Sequence, residues 1–286
     1  MKKQERKNDF TISDLPMTYP GLWRDGVKQR CGTLLLFGVI SLASLLPGIG
    51  ILLWEDIYSF QLSDQIEMGQ ITFEEARILS FWNRNIAGSL FLVAVPLFLI
   101  VSFALMRYFR LMSFEEPIFW KEDFFSSLKA TWKIGLIYGL IFAILFWVSL
   151  FVAGSDISAY LRYIPVVFVF LFIAPTILYS LTLAPYYELS FFGYFIRSVL
   201  LYLKHLPISL LFLIGFSLPF ALFLVGNPFI RYPILIVYVM LIYPLLMYAW
   251  TVYCLSIYDK DINKDDFPDF YRKGLAPLKG EKDGND

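Results

Sequence analysis

The segment Ile134–Ala153, with the sequence IGLIYGLIFAILFWVSLFVA, decides the fold class because it contains no charged side chain. A helix needs about 20 mostly apolar residues to cross the hydrocarbon core of a bilayer. Five further segments have the same character: Thr33–Trp54, Ile86–Met106, Ile164–Leu183, Ile208–Val225 and Pro233–Tyr258. The sequence therefore predicts an all-α, polytopic membrane protein with six transmembrane helices, and with the lipid bilayer as its surroundings.

The composition of the whole chain agrees with this class. Of the 286 residues, 58% are hydrophobic and 17% are charged, against about 45–50% and about 25% in a typical soluble domain. One soluble core cannot bury this excess, so the composition excludes a soluble enzyme, a secreted disulfide scaffold and a disordered protein. The 24 basic and 24 acidic side chains balance. We therefore expect no nucleic-acid partner, since no basic field exists to attract one.

The distribution of Lys and Arg predicts the orientation of the chain. The first, third and fifth connections between spans hold only Arg77, Arg84, Arg162 and Arg231. The other 20 basic residues lie in the two terminal segments and in the second and fourth connections, and such an excess marks the cytoplasmic side. We expect a multi-pass protein of the cell membrane with both termini in the cytoplasm. Residues 1–32 form an N-terminal segment, residues 33–258 the six-helix membrane domain, and residues 259–286 a cytoplasmic tail.

Residues 55–85, after the first span, form the only long outer loop in this interpretation. Within it, Thr72-Phe73-Glu74-Glu75 fits a capping box, which predicts that a helix begins there. The helix would have an apolar side that contains Ile71, Ala76, Ile78, Leu79 and Trp82. This side fits either a partner or the protein's own outer surface, and the second is the more common role of such loop helices.

Two inner connections carry amphipathic segments that predict helices on the inner surface of the membrane. Before the third span, Pro117 suits a first helical position, and Phe124, Phe125, Leu128 and Trp132 follow at helical spacing. The fourth connection has a similar pattern, in Phe191, Phe195, Val199, Tyr202 and Leu203. A shift of 71 residues aligns Phe124 with Phe195, which fits either a repeated hairpin unit or a chance similarity between amphipathic helices.

The spans carry no Asp, Glu, Lys, Arg or His. Ionisable residues inside a membrane are the usual marker of ion paths and of membrane enzymes. We therefore predict a protein that is not an enzyme and has no catalytic residues. The chain has two cysteines and one histidine, whereas a structural Cys/His metal site needs about four such ligands. The sequence accordingly predicts no metal site and no cofactor.

Proline interrupts four spans near their middles, at Pro96, Pro175, Pro219 and Pro244. Broken helices surround the binding sites of many transporters, although proline is also common in membrane helices in general. The hydroxyl-bearing candidates near these prolines are Thr176, Tyr179, Ser180, Thr182 and Tyr243. These groups would either line the path of a solute or join helices by hydrogen bonds.

Small residues form a stripe on the third span, at Gly135, Gly139 and Ala143. Such a stripe allows a second helix to approach closely. The helix that packs there belongs either to the same chain or to a second copy. The sequence is therefore also compatible with a homo-oligomer.

Three segments carry a resemblance to a known family: Met106-Arg107-Tyr108-Phe109-Arg110, Phe119-Trp120-Lys121-Glu122-Asp123-Phe124-Phe125 and Tyr202-Leu203-Lys204-His205-Leu206-Pro207. Over roughly residues 21–271 the chain resembles the YesL-like family of bacterial integral membrane proteins. That family has no settled biochemical activity and is discussed alongside carbohydrate uptake systems. The resemblance implies a non-enzymatic accessory or regulatory partner of a carbohydrate transport system, with other membrane transport subunits as partners. The alternative is a transporter or channel for a neutral polar solute that uses the proline-broken helices.

Overall fold

The computed structural model describes residues 15–155, 158–222 and 227–276. All regular elements in these ranges are helical, which confirms the predicted all-α class. The helices are α1 (Tyr19–Gln29), α2 (Cys31–Glu67), α3 (Phe73–Ser113), α4 (Trp120–Gly154), α5 (Ala159–Phe168), α6 (Ala174–Leu183), α7 (Phe191–Lys204), α8 (Leu206–Ala221), α9 (Pro228–Val237), α10 (Tyr243–Tyr258) and α11 (Lys264–Asp266). A single 3₁₀ turn, Pro268–Phe270, follows α11.

Five helical segments of the described chain are long and apolar enough to cross a membrane. They are Cys31–Glu67, Phe73–Ser113, Trp120–Gly154, Tyr163–Leu183 and Pro228–Asp266. A sixth is obtained if α7 and α8 are counted together, although the two are bent by 104° where they meet. The fifth predicted span, Ile208–Val225, corresponds to α8 up to Ala221, and its last residues lie outside the described part of the chain. These segments support a polytopic membrane protein.

The two predicted inner amphipathic helices have different structures. α7 is a separate helix that begins after Ser190, whose Oγ accepts a hydrogen bond of 3.2 Å from Gly193 N. α4, by contrast, runs without interruption through the amphipathic segment and the third span. The prediction that Pro117 starts a helix is wrong. The Asp123 carboxylate accepts a hydrogen bond of 2.8 Å from Phe119 N, so α4 begins only after Phe119.

Two of the predicted proline interruptions alter the helices strongly. α5 and α6 are joined by a π-helical turn, Val169–Ile173, and α9 and α10 by another, Tyr238–Ile242. Pro175 and Pro244 each lie two residues beyond one of these turns. Proline lacks an amide hydrogen and its ring crowds the preceding turn, which explains why the helix widens there. Pro96 and Pro219 instead lie inside α3 and α8, which continue past them.

The predicted outer loop is a helical hairpin in the structure. α2 continues to Glu67, so that only residues 68–72 separate it from α3. The capping box is confirmed, because Thr72 Oγ1 accepts a hydrogen bond from Glu75 N (3.2 Å) and Glu75 Oε2 accepts one from Thr72 N (2.8 Å). The 41 residues of α3 rise about 60 Å at 1.5 Å per residue. The hydrocarbon core measures only about 30 Å, so the hairpin extends beyond it.

The sequence led us to expect that the apolar side of the α3 hairpin segment packs against the protein's own outer surface. In the structure most of this side is exposed instead. Ala76 is buried, but Phe73 is 75% exposed, Trp82 60% and Ile78 49%. Leu62 of α2 is buried together with Ala76, so the expectation of packing on the chain's own fold is wrong for the large exposed residues of α3.

We name the two ends of the bundle by the segments they carry. The loop end is the end at residues 55–85, and the terminal end is the end at residues 15–30 and 259–276. At the terminal end, α1 packs through the fully buried Leu22, and Ala276 N donates a hydrogen bond of 3.0 Å to Pro16 O. The main core lies in this half and contains aromatic side chains of α3, α6 and α10. The predicted terminal segments beyond residues 15 and 276 fall outside the described residues.

Candidate functional site

Four of the five hydroxyl groups predicted near a solute path lie on α6, and three of them bond to neighbouring helices. Ser180 Oγ donates to Tyr138 OH of α4 at 2.7 Å and shares a hydrogen bond of 2.8 Å with Ser198 Oγ of α7. All three side chains are buried. Ser180 therefore joins three helices through its single hydroxyl.

The other α6 hydroxyls extend this set of contacts. Tyr179 shares a hydrogen bond of 2.8 Å with Ser209 of α8, and Thr182 shares one of 2.6 Å with Tyr258 of α10. Thr176 Oγ1 donates to Phe172 O within its own segment at 2.7 Å. α6 is thus connected by side-chain hydrogen bonds to α4, α7, α8 and α10. We call these residues the α6 hydroxyl cluster: Tyr138, Thr176, Tyr179, Ser180, Thr182, Ser198, Ser209 and Tyr258.

Four members of this cluster could not be recognised in the sequence: Tyr138, Ser198, Ser209 and Tyr258. Neutral hydroxyls are common on membrane helices, and their role depends on which of them meet in space. The bonded pairs are 18 to 76 residues apart. Only the folded arrangement brings them together, because no periodicity within one helix can indicate a partner on another.

Tyr243, the fifth predicted residue, has different surroundings. It lies directly after the π-helical turn of α9–α10 and is only partly buried. Its ring centroid is 6.0 Å from that of Phe37, 6.2 Å from that of Phe98 and 6.2 Å from that of Phe216. Of the five predicted hydroxyl-bearing residues, Tyr243 is the one that lines the cavity described below.

The small-residue stripe of α4 lies against α3 of the same chain. A Cβ atom built on Gly139 would fall 2.4 Å from Pro96 Cα, and one built on Gly135 would fall 2.7 Å from Ile100 Cα. Ala143 is fully buried. Real Cβ atoms do not approach a backbone this closely, so α3 and α4 meet backbone to backbone at these two glycines.

A cavity of about 650 Å³ lies between the helices in the half of the bundle nearer the loop end. Each of the spanning segments contributes to its wall, mostly with Leu, Ile, Val and Phe side chains. From α2, α3 and α4 these include Leu45, Ile49, Phe91, Val95, Phe98, Phe142 and Phe146; from the other segments they include Phe170, Ile177, Leu178, Leu213, Phe216, Leu235 and Val239. The cavity is therefore mainly apolar and lies beside the α6 hydroxyl cluster rather than within it.

Two ion pairs join helices at the loop end. Arg84 Nε of α3 lies 3.3 Å from Glu55 Oε1 of α2, and both residues line the cavity. Asp56 of α2 pairs with Arg231 of α9 and also accepts a hydrogen bond of 2.6 Å from Tyr232 OH. In the sequence, Arg84 and Arg231 indicate only the orientation of the chain. Their acidic partners lie in adjacent positions on α2, but nothing in the sequence indicates which base each would meet.

A buried polar cluster closes the terminal end. Asp259, which is 2% exposed, accepts hydrogen bonds from Tyr19 OH (2.5 Å), Asn263 Nδ2 (2.6 Å) and Arg272 N (2.9 Å). Tyr187 OH donates to Asn263 Oδ1 at 2.5 Å. Burial, together with the bond to the Asp259 carboxylate, raises the pKa of Tyr19 above its ordinary value. Asp259 thus holds α1, α10 and the chain after α11 together.

The described residues contain no group of metal ligands, and the comparisons with known proteins do not indicate an activity. Within the described ranges, no three His, Cys, Asp or Glu side chains come together as ligands for a metal ion. No protein-family model matches the chain, and no curated protein or solved structure matches it either. The resemblance to the YesL-like family, the absence of a cofactor and the absence of enzymatic activity therefore stay predictions. The described structure supports a multi-pass membrane protein.

Proposed function

We propose that this chain is a non-enzymatic accessory or regulatory partner of a carbohydrate transport system in a bacterial cell membrane. Its termini would lie in the cytoplasm and its α2–α3 hairpin outside. The orientation rests on the 20-to-4 distribution of basic residues, and the class of partner rests on the resemblance to the YesL-like family. The accessory role itself is supported by the exposed apolar residues of the hairpin.

The hairpin presents large apolar side chains outside the membrane. Phe73, Ile78 and Trp82 are exposed on a part of α3 that precedes the span beginning at Ile86. Charged residues lie beside them, and Glu74 and Arg77 form an exposed ion pair of 2.9 Å. Because exposed charges favour water over lipid, we place this region in water. Exposed apolar patches in water are typical of protein interaction sites. This surface is the main observation in favour of a partner protein.

The interior supports an accessory role over a path for a neutral polar solute. A sugar-like solute requires hydrogen-bonding groups that are free to receive it, because burying its hydroxyls without partners is unfavourable. In the α6 hydroxyl cluster, Tyr179, Ser180 and Thr182 already bond to other helices. The wall of the cavity is mainly apolar. This arrangement suits helix packing better than sugar conduction.

The decisive experiment is purification of the full chain from native membranes, followed by mass spectrometry of the proteins that accompany it. We expect membrane subunits of a carbohydrate importer to co-purify with the wild type. A double variant, Ile78→Gln with Trp82→Gln, should lose them. The matched control is Glu74→Gln, which changes an exposed residue of the same hairpin without removing apolar surface. Equal recovery of the subunits with all three proteins would contradict the assignment of this surface.

A transport assay tests the alternative function. Proteoliposomes that contain only this protein should show no saturable sugar uptake. Saturable uptake by the wild type, lost in a folded Ser180→Ala, Thr182→Val, Tyr243→Phe triple variant, would overturn the accessory role. It would identify the chain as a transporter or channel for a neutral polar solute.

A further inference from the structure

We propose that the cavity near the loop end binds a long-chain amphiphile with an anionic head group. The hydrocarbon chain would lie among the phenylalanine and aliphatic side chains of the wall, and the head group at Arg84. This inference goes beyond the proposed accessory role and does not depend on it, because the cavity lies inside the bundle and the partner surface lies on the hairpin outside.

The volume of the cavity suits one hydrocarbon chain. Protein interiors are close-packed, with few voids larger than a water molecule, whereas ligand pockets measure about 300–1,000 Å³. The cavity measures about 650 Å³. An apolar cavity of about 150 Å³ takes one benzene molecule, and by that ratio this cavity holds roughly 25 carbon atoms. A single acyl chain fits this number, and two long chains exceed it.

The wall selects for hydrocarbon. Leu, Ile, Val and Phe side chains dominate it, and they offer nothing to the hydroxyls of a sugar or to the charge of an ion. Tyr238 is one of its polar residues, but its hydroxyl donates to Gly215 O at 2.8 Å. Burial of a hydrocarbon chain in such a wall is favourable and needs no directional partner.

The charged groups of the cavity, Glu55 and Arg84, lie at its rim, and the rest of the wall is mainly apolar. An amphiphile has the same division into a polar end and an apolar chain. Arg84 is about half exposed, and its Nε is the atom that meets Glu55. A guanidinium group has five N–H donors in a planar fork, so its two terminal nitrogens remain to bind an anion. Carboxylates and phosphates match this fork in a bidentate manner. A head group that is anionic, rather than cationic, is therefore expected at Arg84.

Two of the three π-helical turns of the described chain contribute to the same wall, whereas the third, Asp259–Asn263, lies at the terminal end. Phe170 belongs to the turn Val169–Ile173, and Tyr238 and Val239 belong to the turn Tyr238–Ile242. Such turns are rare and occur frequently at functional sites. Here they widen two helices that face the cavity, and thereby help to create the space that the chain of the ligand would fill.

Photo-crosslinking of the purified full chain with a diazirine-bearing palmitate tests the proposal. We expect labelled peptides from α3, α4 and α6, at residues of the cavity wall. Val95→Trp, which fills the cavity, should reduce this labelling at least fivefold. The matched control is Val93→Trp on the same helix, whose side chain is 72% exposed on the outside of the bundle. It should leave the labelling unchanged. Ala174→Phe fills the cavity from another segment and replaces Val95→Trp if that variant does not fold.

The head-group assignment needs a separate comparison. Arg84→Gln should weaken palmitate binding about tenfold, and it should not weaken binding of a diazirine-bearing hexadecanol, which has no charge. Arg77→Gln, on the same helix but away from the cavity, is the control. Competition by unlabelled palmitate and by a monoacylglycerol phosphate distinguishes carboxylate from phosphate head groups, and inorganic phosphate alone should not compete.

Two results would overturn the proposal. Labelling confined to the outer surface of the bundle and unaffected by both cavity-filling variants would show that the probe only replaces annular lipid. Equal loss of palmitate and hexadecanol binding in Arg84→Gln, or no loss of either, would show that Arg84 does not bind the head group.

Discussion

The two halves of the bundle are built from the same spans but are held together in different ways. In the terminal half, the α6 hydroxyl cluster and the Asp259 cluster connect the helices by buried hydrogen bonds. In the half nearer the loop end, an apolar cavity separates the helices, and the ion pairs of Glu55 and Asp56 join them at its outer end. The difference implies that most of the local stability lies in the terminal half, whereas the other half has room for a ligand.

The largest expected effect concerns the sides of the membrane on which the two ends lie. After replacement of Cys31 and Cys254, a probe cysteine at Ser63 should react fully with an impermeant reagent added outside intact cells. A probe cysteine at Asp265, exposed near the terminal end, should not react until the cells are opened. Labelling of the Asp265 probe alone from outside would reverse the assignment of the two ends.

Within the terminal half, Asp259→Ala should cause the greatest loss of stability. The substitution leaves Tyr19 OH, Asn263 Nδ2 and the amide of Arg272 without their acceptor in a buried site. A buried donor left without an acceptor costs about 1–3 kcal/mol, so the loss of three acceptor contacts should cost at least about 3 kcal/mol. A thermal melt in detergent measures the loss, and hydrogen exchange should rise in residues 19–29 and 268–276. Asp265→Ala, at an exposed acid of the same region, is the control, and equal melting of the two variants would contradict the role of Asp259.

The contact between α3 and α4 should be the next most sensitive. Gly139→Leu forces side-chain atoms into the backbone at Pro96, and overpacking of this kind costs about 1–3 kcal/mol. Gly50→Leu is the matched control, because a Cβ atom built on Gly50 meets nothing within 4 Å. Wild-type melting of the Gly139→Leu protein would show that the two helices separate more easily than the structure indicates.

The class of fold could be predicted from the sequence, because the length and apolarity of a membrane-spanning helix are local properties. The capping box at Thr72 and the amphipathic helix α7 were predictable for the same reason. The first residue of α4 was not, because nothing in the sequence distinguishes Asp123, whose carboxylate accepts the hydrogen bond from Phe119 N, from any other acid. The π-helical turns Val169–Ile173 and Tyr238–Ile242 were also missed, because proline predicts a disturbance of the helix but not its form.

The candidate site was less predictable than the fold. The sequence singled out Ser180, Thr182 and Tyr243 as one group, yet the first two lie in the α6 hydroxyl cluster and the third lines the cavity. Their different surroundings depend on contacts between helices that are distant in the chain. The cavity itself left no pattern in the sequence, because the side chains that line it are the same residue types that face lipid.

A smaller effect is expected from the α6 hydroxyl cluster. Ser180→Ala combined with Thr182→Val removes the hydrogen bonds to Tyr138, Ser198 and Tyr258. Hydrogen bonds between membrane helices average about 0.6 kcal/mol each, so the pair should lower stability by about 1–2 kcal/mol. The measurement is unfolding in detergent, with Ser89→Ala as the control, because Ser89 bonds only to Ile86 O of its own helix. A loss equal to that of the control would show that these bonds do not hold the terminal half together.

The smallest effect should be a dependence of stability on pH at the junction of α7 and α8. Burial raises the pKa of Asp261, but hydrogen bonds that its carboxylate accepts from Lys204 Nζ (2.7 Å) and His205 Nε2 (3.0 Å) outweigh burial and hold the pKa below its ordinary value. A carboxyl with a lowered pKa stabilises the fold above its ordinary pKa of about 3.9, and this contribution is lost as the pH falls through the folded-state value. Lys204 is largely exposed, so the contribution is below about 1 kcal/mol. Asp261→Asn should therefore melt slightly below the wild type at pH 7, and the difference should shrink as the pH falls below about 3.9. Asp265→Asn serves as the control, and a difference that grows toward low pH would contradict the pairing.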